Sequence, residues 1–494
     1  MSIEGAPSAL ATRSLGRYGW AQAMKRTYLD ASAPIAALAT APGESALAVI
    51  RAAGPGAIAL AATCFSRPEA LASAPHLSLI HGELVDPRDG HAVDEVLASV
   101  FRAPGGPLGE ELVEFSCHGS PAVVRRALEA LEAAGFAPAL PGEFSFRAFL
   151  SGKLDLVEAE AVQELVRAGS DGARAEALRR LEGGLSGDLR QAREAVMGLL
   201  AEAEVRLDYD EADDSPAGGL DLDALRLARD LLSGLASSYA AGSLYERGAR
   251  VALAGRPNAG KSSLFNLLVR EERSIVAPEA GTTRDWIEAM IELGGLPLRL
   301  VDTAGLREAA PGGVEAEGVA RSRRIAAEAD AVLYLVDGTA GRSDEDDAFL
   351  AQRPDALRVW SKIDASACSS APEGFLPVSA ATGKGLPALV DALRELVAPR
   401  FGAGASGYLA PGYGAPVSAA PPSKARVASG RQKALLDRAV AALDSVSGGA
   451  EAGVPLDALA LDLREAADAL GEITGELASA EVLEAVFSRF CLGK

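Results

Sequence analysis

The feature that most constrains this 494-residue chain is a glycine-rich loop between an apolar strand and a helix. Residues 255–262 read Gly-Arg-Pro-Asn-Ala-Gly-Lys-Ser, match the pattern G-x-x-x-x-G-K-[ST], and follow the apolar segment 251–254. In such a loop, backbone N–H groups surround the β-phosphate of a nucleotide, the lysine reaches the β- and γ-phosphates, and the final hydroxyl ligates Mg²⁺. The spacing therefore predicts an α/β domain that binds a nucleoside triphosphate, with Ser262 as a magnesium ligand.

The segments after this loop supply the other parts of a site that hydrolyses a nucleoside triphosphate. Residues 281–285 place Thr283 where a hydroxyl completes the Mg²⁺ shell only with the γ-phosphate present, and residues 302–305 read Asp-Thr-Ala-Gly after the strand 298–301. Small signalling GTPases carry a glutamine directly after this Asp-x-x-Gly to orient the attacking water, but this chain has Leu306. We therefore expect the water-orienting group and the positive charge near the transition state to come from elsewhere.

Two short segments at predicted strand ends decide which base is bound. Residues 361–364 read Ser-Lys-Ile-Asp, and Ser379-Ala380 lie in the next predicted strand, 377–380. The Asp364 carboxylate can accept from both N1–H and the exocyclic amino group of guanine, donors that adenine lacks, so GTP is favoured over ATP. GTPases usually carry asparagine at the first position of this motif. The lost amide contacts at Ser361 are expected to cost about 0.5–1.5 kcal/mol each, which weakens binding without reversing the preference.

Hydrophobic periodicity divides the chain, whose length alone implies about three to four domains. Apolar residues at helical spacing occur on both sides of the segment in which strands and helices alternate, so an α/β P-loop domain is predicted to be inserted into one all-α domain. The predicted segments are an extension at 1–29, a mixed α+β domain at 30–150, a helical part at 151–247, the α/β domain at 248–398, a Gly/Ala/Pro-rich linker at 399–425 and a second helical part at 426–494.

Composition excludes several classes of protein. The 48 Lys+Arg and 68 Asp+Glu give a net charge of −20, so a broadly basic nucleic-acid coat is excluded and an RNA partner needs a local basic patch. The four cysteines include no C-x-x-C pair, which predicts neither a disulfide framework nor a zinc site and favours the cytoplasm. The sequence contains no stretch of eighteen consecutive apolar residues, so it predicts no transmembrane helix.

The N-terminal segment 5–29 carries four basic residues and no acidic one before Asp30. Its composition is similar to that of an organelle transit peptide, but it lacks a clean amphipathic period. The alternative is that Met24 is the true start of the protein.

With these motifs in order, the chain resembles the tRNA-modifying GTPase family called MnmE or TrmE, which also has leucine after Asp-x-x-Gly. The resemblance covers essentially everything from residue 30 to residue 494 apart from the linker. Its marks are PGEFSFRAFLSGKLDLVEAEA at 141–161, GRPNAGKSSLFN at 255–266, AGTTRD at 280–285, DTAGLRE at 302–308, EITGE at 472–476 and FCLGK at 490–494.

The resemblance implies an N-terminal folate-binding and dimerising domain, a helical domain and an inserted GTPase domain, in a homodimer that acts on tRNA. Members of the family work with an FAD-dependent partner of the MnmG or GidA family. Together they install an aminomethyl or carboxymethylaminomethyl group at carbon 5 of the wobble uridine, with a one-carbon unit from 5-formyl- or methylene-tetrahydrofolate. This chain carries no dinucleotide-binding glycine fingerprint between a strand and a helix, so the flavin is expected in the partner.

The resemblance also implies a K⁺ site and a substitute for the missing glutamine. A cation beside the phosphates replaces an arginine finger, and Glu315 corresponds to the water-orienting carboxylate, although Glu315 taken alone is more typical of a solvated acidic residue. Lys261 and Glu315 are the predicted catalytic residues. The implied K⁺ ligands are Asn258, the backbone oxygens of Ala277 and Glu279, and Thr282.

The complete set of predicted GTP-binding residues spans five segments of the chain, with Ser262 and Thr283 as magnesium ligands. It consists of Asn258, Ala259, Gly260, Lys261, Ser262, Ser263, Ala277, Pro278, Glu279, Ala280, Gly281, Thr282, Thr283, Asp302, Thr303, Ala304, Gly305, Ser361, Lys362, Asp364, Ser379 and Ala380.

For the folate, the family pattern implies Arg51, Glu114, Lys153 and Lys494. A carboxylate suits the amide-like edge of the pterin, and basic side chains suit the glutamate carboxylates of the cofactor. Each residue alone fits a surface charge as well. The chain departs from the family pattern at 43–45, 106–111 and 118–120.

Two alternatives stay open at the level of sequence. Cys491 could act as a nucleophile near the folate, but a buried structural role is favoured, because little besides Lys494 lies nearby to activate its thiol. The alternative function is a regulatory or ribosome-assembly GTPase that binds RNA without modifying it.

Overall fold

The computed structural model describes residues 27–28, 32–209, 220–271, 274–275, 287–302, 324–366, 368, 370–402 and 425–493. Their contacts divide them into two compact units. The first comprises the described residues of Met1–Gln163 and Gly471–Lys494, and the second comprises those of Glu164–Leu470.

The first unit contains a six-stranded sheet with helices between its strands. Its N-terminal elements are β1 (Ile35–Leu38), β2 (Ser45–Ala53), α1 (Ala57–Thr63), α2 (Pro68–Ser73), β3 (Ser78–Val85), β4 (Ala92–Phe101), β5 (Leu112–Gly119), α3 (Pro121–Ala134), β6 (Ala137–Pro138), α4 (Glu143–Leu150) and α5 (Leu156–Arg167). The strand order is β3-β4-β5-β2-β1-β6. β1 and β6 pair in parallel, and the other neighbours pair antiparallel.

The two faces of this sheet differ, as the alternation of side chains along a strand requires. On one face, Ile50 and Phe115 are fully buried against α1 and α3 in a core that includes Leu131. On the opposite face, Leu79 and Leu97 are 61% and 41% exposed. One face of the sheet is therefore covered, and the other is open over β3 and β4 but covered beside β1 by α4.

Three helices begin the second unit, namely α6 (Asp171–Leu181), α7 (Gly184–Tyr209) and α8 (Leu222–Arg247). The Ser170 hydroxyl accepts from the backbone N–H of Ala173 at the start of α6, and the Asp221 carboxylate accepts from two N–H groups at the start of α8. Gly248 ends α8 with a φ of 73°. These polar caps and the terminal glycine explain where α6 and α8 begin and where α8 ends.

An α/β domain with a seven-stranded sheet follows. Its elements are β7 (Ala249–Gly255), α9 (Lys261–Glu271), β8 (Ser274–Ile275), β9 (Ile287–Leu293), β10 (Leu296–Asp302), β11 (Ala331–Asp337), α10 (Asp344–Gln352), β12 (Leu357–Ser361), β13 (Leu376–Pro377) and α11 (Leu386–Val397). The strand order is β13-β12-β11-β7-β10-β9-β8. The five strands from β13 to β10 run parallel, and β9 and β8 continue the sheet antiparallel.

Helices cover both faces of this sheet, so its central strands are continuous apolar runs. Leu253 and Leu333 pack in a core with residues of α9 and α11, while Tyr334 packs on the opposite face with Leu350 of α10. The strand predicted at 377–380 is shorter, because the N–H of Ser379 turns to the carbonyl of Lys384 at 2.9 Å.

The chain ends in α12 (Gly430–Ala452), α13 (Leu456–Thr474) and α14 (Ala480–Phe487). α12 packs along α8 in the second unit. In the first unit, the ring of Phe487 lies edge-on to Phe146 with centroids 5.3 Å apart, and the N–H of Gly142 donates to the carbonyl of Cys491. The motif 141–161 and the C-terminal FCLGK segment thus pack on one another.

The predicted fold class is confirmed: an α+β N-terminal domain, a helical domain and a P-loop α/β domain follow one another, with helical segments on both sides of the α/β domain. The finer domain boundaries stay a prediction.

No helix within the described ranges is both long and apolar enough to cross a membrane.

Candidate functional site

The glycine-rich loop joins β7 to α9 with a backbone that most side chains could not adopt. Gly255, Asn258 and Gly260 have φ values of 136°, 62° and 92°. A Cβ atom at Gly255 would lie 2.3 Å from the carbonyl oxygen of Leu335, so a glycine is required there. Left-handed residues in such a turn direct successive N–H groups into one concavity, which favours anions. The loop therefore has the backbone form that a phosphate group needs.

Lys261 is the first residue of α9 and is 7% exposed. Its Nζ donates to the carbonyl oxygens of Gly255 and Arg256 at 2.9 and 2.8 Å, which folds the side chain back over the loop. The ammonium group thus lies where the N-terminus of α9 adds its own positive dipole. Ser262 and Ser263 follow in the first turn with exposed side chains.

Asp302 lies at the same edge of the sheet as this loop. β10 pairs in parallel with β7, and Asp302 is in register with Leu253, two residues before Gly255. The Asp302 side chain is almost completely buried. Carboxylate and hydroxyl oxygens, directly or through water, are the groups that Mg²⁺ prefers, so Asp302 and Ser262 fit this ion.

Several predicted site residues lie outside the described residues, and their roles rest on sequence. Among the predicted K⁺ ligands, Asn258 is described, and its side chain is exposed on the loop. The predicted site residues outside the described ranges are Ala277, Pro278, Glu279, Ala280, Gly281, Thr282, Thr283, Thr303, Ala304, Gly305, Glu315 and Lys494.

Asp364 and Ser379 come together from two loops, one after β12 and one after β13. The Ser379 hydroxyl and the backbone N–H of Asp364 hydrogen-bond to the Asp364 carboxylate, and they hold its pKa below the ordinary value. Ser379 is fully buried, Asp364 is exposed, and Ala380 is half-buried. The pair therefore presents an ionised acceptor on a fixed support, as recognition of the guanine N1–H and amino group requires.

Ser361, the departure from the usual asparagine, lies at the end of β12 and is 6% exposed. Its Oγ is 2.7 Å from the carbonyl oxygen of Ala259 and 3.0 Å from that of Val336. Ser361 thus joins the glycine-rich loop to the neighbouring strands. Sequence reasoning counted only the lost amide contacts at this position and missed this connection, for which the sequence carries no signal.

Lys362 supports the same region through Asp337, which sequence reasoning did not select. Lys362 has a φ of 60°, and its Nζ lies 2.7 Å from Oδ2 of Asp337, whose Oδ1 accepts from the N–H and hydroxyl of Thr339. Burial opposes ionisation of Asp337, but the bonds from Lys362 and Thr339 outweigh it and lower the pKa. The available signal was the strand-ending Val-Asp-Gly at 336–338.

The predicted folate residues Arg51 and Glu114 are paired in the first unit. They are in register on β2 and β5, and Nε of Arg51 lies 2.7 Å from Oε1 of Glu114. Nη1 of Arg51 also donates to the carbonyl oxygen of Gly493 at 3.2 Å. Both side chains are partly exposed, at 29% and 21%. The C-terminal segment therefore reaches the predicted pair.

Lys153 is exposed, and its neighbours connect it to this region. Leu154 and Leu492 pack against the same hydrophobic cluster, which includes Ile35 and Phe144. This cluster lies on the face of the sheet that carries Arg51 and Glu114, since Ile35 pairs with Ala53 and alternation returns to Arg51. Three of the four predicted folate residues thus border one apolar cluster or its sheet face.

Arg147 is a further residue that sequence reasoning missed. Its side chain is fully buried, forms ion pairs with Glu143 at 2.9 Å and Glu110 at 3.2 Å, and donates to the carbonyl of Ala33 at 2.7 Å. A Cβ atom at Gly54 would approach its Nη1 to 2.9 Å. Arg147 therefore fixes α4 to the loop 106–111 and to the segment before β1.

The expectation of a buried Cys491 is wrong. Its thiol-bearing side chain is exposed, and its backbone carbonyl rather than its sulfur makes the described contact, with Gly142. The neighbouring Phe490 and Leu492 pack inward, so alternation along this tail turns Cys491 outward.

The sheet order, the glycine-rich loop at its carboxyl edge and the paired Asp364 and Ser379 define a P-loop protein of the GTPase class. The MnmE helical domain family matches residues 156–491, and the family "GTP-binding protein TrmE N-terminus" matches residues 34–153. This chain belongs to the MnmE family of tRNA modification GTPases.

Relatives of the same name span almost the whole chain. The tRNA modification GTPase MnmE of Thermus thermophilus is 42% identical over 466 residues, which are 93% of this chain and 99% of that protein. Those of Treponema denticola and Enterococcus faecalis are each 37% identical and cover 93% of this chain and 98% of their own. Among solved structures, the G domain of the T. maritima FeoB iron transporter covers 31% of this chain and 98% of its own, at 24% identity and a TM-score of 0.22.

Proposed function

We propose that this GTPase is K⁺-stimulated and acts in the cytoplasm with an FAD-dependent partner of the MnmG or GidA family. The pair installs an aminomethyl or carboxymethylaminomethyl group at carbon 5 of the tRNA wobble uridine, with a folate-borne one-carbon unit. The observation that carries the nucleotide part is the ionised Asp364 carboxylate held by the buried Ser379. It supplies the acceptor that separates guanine from adenine.

Within the GTP site, the chain's own groups bind and orient the phosphates. The left-handed loop around Asn258 and Gly260 offers N–H groups, and Lys261 offers a positive charge for the β- and γ-phosphates. Ser262 and Thr283 ligate Mg²⁺, and Asp302 holds its water shell. When bound, this ion neutralises charge that develops on the phosphate oxygens.

Hydrolysis requires a group that orients the attacking water, and Leu306 cannot provide one. Glu315 orients the attacking water, and Asn258 with the loop 277–282 holds K⁺ beside the phosphates. Support comes from the exposed Asn258 side chain on the glycine-rich loop, where a carboxamide oxygen is available to a hard cation.

The folate site consists of Arg51, Glu114, Lys153 and Lys494. The Glu114 carboxylate accepts from the pterin edge, and the basic groups bind the glutamate carboxylates of 5-formyl- or methylene-tetrahydrofolate. The proposal is supported by the bond from Arg51 to Gly493, since the following residue is Lys494.

The protein is proposed to be a homodimer through the open face of the six-stranded sheet. Leu47, Leu79 and Leu97 on this face are 64%, 61% and 41% exposed, and apolar side chains grouped on one face favour association. Leu97→Glu should convert the assembly from twice the chain mass of 50.6 kDa to the chain mass in light scattering. Leu227→Glu, at a 75% exposed position in the second unit, should not. Dimers in both variants would contradict this interface.

Nucleoside mass spectrometry of bulk tRNA from cells that lack this protein tests the reaction. Wobble uridines should lose their aminomethyl group, and reintroducing the chain should restore it. Unchanged tRNA would favour the alternative, a regulatory or ribosome-assembly GTPase without modification activity.

A further inference from the structure

We infer that Ser361 is a positioning residue that anchors the glycine-rich loop and makes no hydrogen bond to guanine N7. Base selectivity then depends on Asp364. This inference rests on the proposed guanine site and deepens it.

The side chain of Ser361 can donate only one hydrogen bond. A serine hydroxyl has one proton to donate and two lone pairs. Both neighbours of Oγ, the carbonyl oxygens of Ala259 and Val336, are acceptors, at 2.7 and 3.0 Å. The single proton is therefore committed to these two carbonyl groups, and none remains for a further acceptor.

Guanine N7 and O6 are both hydrogen-bond acceptors, so each of them needs a donor from the protein. An asparagine amide would bring two N–H groups and could serve a loop carbonyl and N7 together. Ser361 has no second proton. Because the Ala259 carbonyl is its nearer acceptor, the hydroxyl keeps the loop contact and has no proton left for N7.

The hydroxyl of Ser361 also affects the phosphate end of the site. Ala259 is 1% exposed and immediately precedes Gly260 and Lys261. Removing the hydroxyl would leave the Ala259 carbonyl without that donor in a buried position, where such a loss is costly. The anchor at Ser361 thus holds in place the loop that receives the β-phosphate.

The experiment compares GTP and GDP with their 7-deaza analogues, in which a CH group replaces N7, by calorimetry. In the unmodified protein, each analogue should bind within about twofold of its parent. Ser361→Asn should create a preference of about three- to tenfold for the parent nucleotide, the range of one hydrogen bond.

The anchor itself is tested by Ser361→Ala, which should weaken GDP and 7-deaza-GDP equally, by about three- to tenfold. Ser361→Thr keeps the hydroxyl and should restore affinity. Ser243→Ala, at a half-buried position of α8, is the control and should bind as the unmodified protein does.

Two results would overturn the inference alone: discrimination against 7-deaza nucleotides by the unmodified protein, or no loss of GDP affinity in Ser361→Ala. Retained guanine preference in Asp364→Asn would instead remove the proposed base site, and the inference with it.

Discussion

The guanidinium of Arg51 donates to the carbonyl oxygen of Gly493, a residue 442 positions later in the chain. Gly493 has a φ of 85°, and a Cβ atom there would lie 2.1 Å from the carbonyl oxygen of Leu38. A glycine is thus required for the tail to reach the sheet. The arrangement explains the glycine of FCLGK, and Lys494 directly follows this residue in the sequence.

The first prediction concerns the folate site. Lys153→Ala and deletion of Lys494 should each weaken binding of 5-formyl-tetrahydrofolate by about tenfold or more, because each removes a charge-assisted bond to a carboxylate. GTP turnover should not change, since the glycine-rich loop lies in a different compact unit. Isothermal titration calorimetry and phosphate release measure the two effects.

Lys433→Ala is the matched control, because this lysine pairs with Asp437 on α12 in the second unit. It should leave folate affinity unchanged. A parallel loss of GTPase activity in the Lys153 variant would count against separate sites.

The second prediction concerns base recognition. Asp364→Asn exchanges an acceptor for a group that pairs poorly with guanine N1–H, so guanine affinity should fall by at least about tenfold while xanthine nucleotides gain. Competition between GTP and XTP measures this ratio. Asp391→Asn, at a half-exposed position of α11, should not alter it. Equal loss of both nucleotides would refute the assigned base contact.

Some of this site could be predicted from sequence because the chemistry fixes the spacing. The loop 255–262 needs its glycines and lysine at set intervals, and the structure gives it the expected strand and helix. The anchor made by Ser361 could not be predicted, because it joins positions 102 residues apart and depends on the parallel register of β11 and β12. The burial of Arg147 could not be predicted either, since an arginine in a sequence is normally assigned to the surface.

The third prediction concerns acid stability of the first unit. Arg88 donates two bonds to the Asp86 carboxylate, at 2.8 and 2.6 Å, and Arg126 adds a contact at 3.3 Å. These groups lower the pKa of Asp86 to about 2, and its ordinary value is about 4. Because the folded-state pKa is depressed, the stabilisation is fully present above about pH 4 and is lost as the pH falls toward 2.

Asp86→Asn should therefore reduce stability at neutral pH by about 1 kcal/mol, since both arginines are about half exposed and screened by solvent. The difference from the unmodified protein should shrink below about pH 4. Calorimetric unfolding between about pH 2 and 7 measures it across the window in which the carboxyl titrates. A difference that grows on acidification would contradict the assignment.

The last prediction concerns the monovalent cation. Leu306 removes the water-orienting glutamine, so the charge that develops between the β- and γ-phosphates needs another positive group beside it. Asn258 offers a neutral oxygen ligand on the loop, which suits a hard cation, and a site shaped for K⁺ would be loose around Na⁺. An arginine finger is worth about 10³–10⁵ in rate. A cation held partly by backbone oxygens should recover a fraction of this rate enhancement. We therefore expect turnover in K⁺ to exceed that in Na⁺ at least about tenfold, which corresponds to an activation barrier lower by about 1.4 kcal/mol.

Two variants separate the role of the K⁺ site from the role of the Glu315 carboxylate. Asn258→Ala should abolish the response to K⁺ and largely keep nucleotide affinity, because Lys261 and the loop N–H groups still bind the phosphates. Glu315→Ala should lose hydrolysis in both K⁺ and Na⁺ but keep nucleotide affinity, because it changes the water and not the ion. Phosphate release at equal ionic strength and isothermal titration calorimetry measure these effects. Equal rates in K⁺ and Na⁺ for the unmodified protein would defeat the proposal, since the charge at the transition state would then have another source.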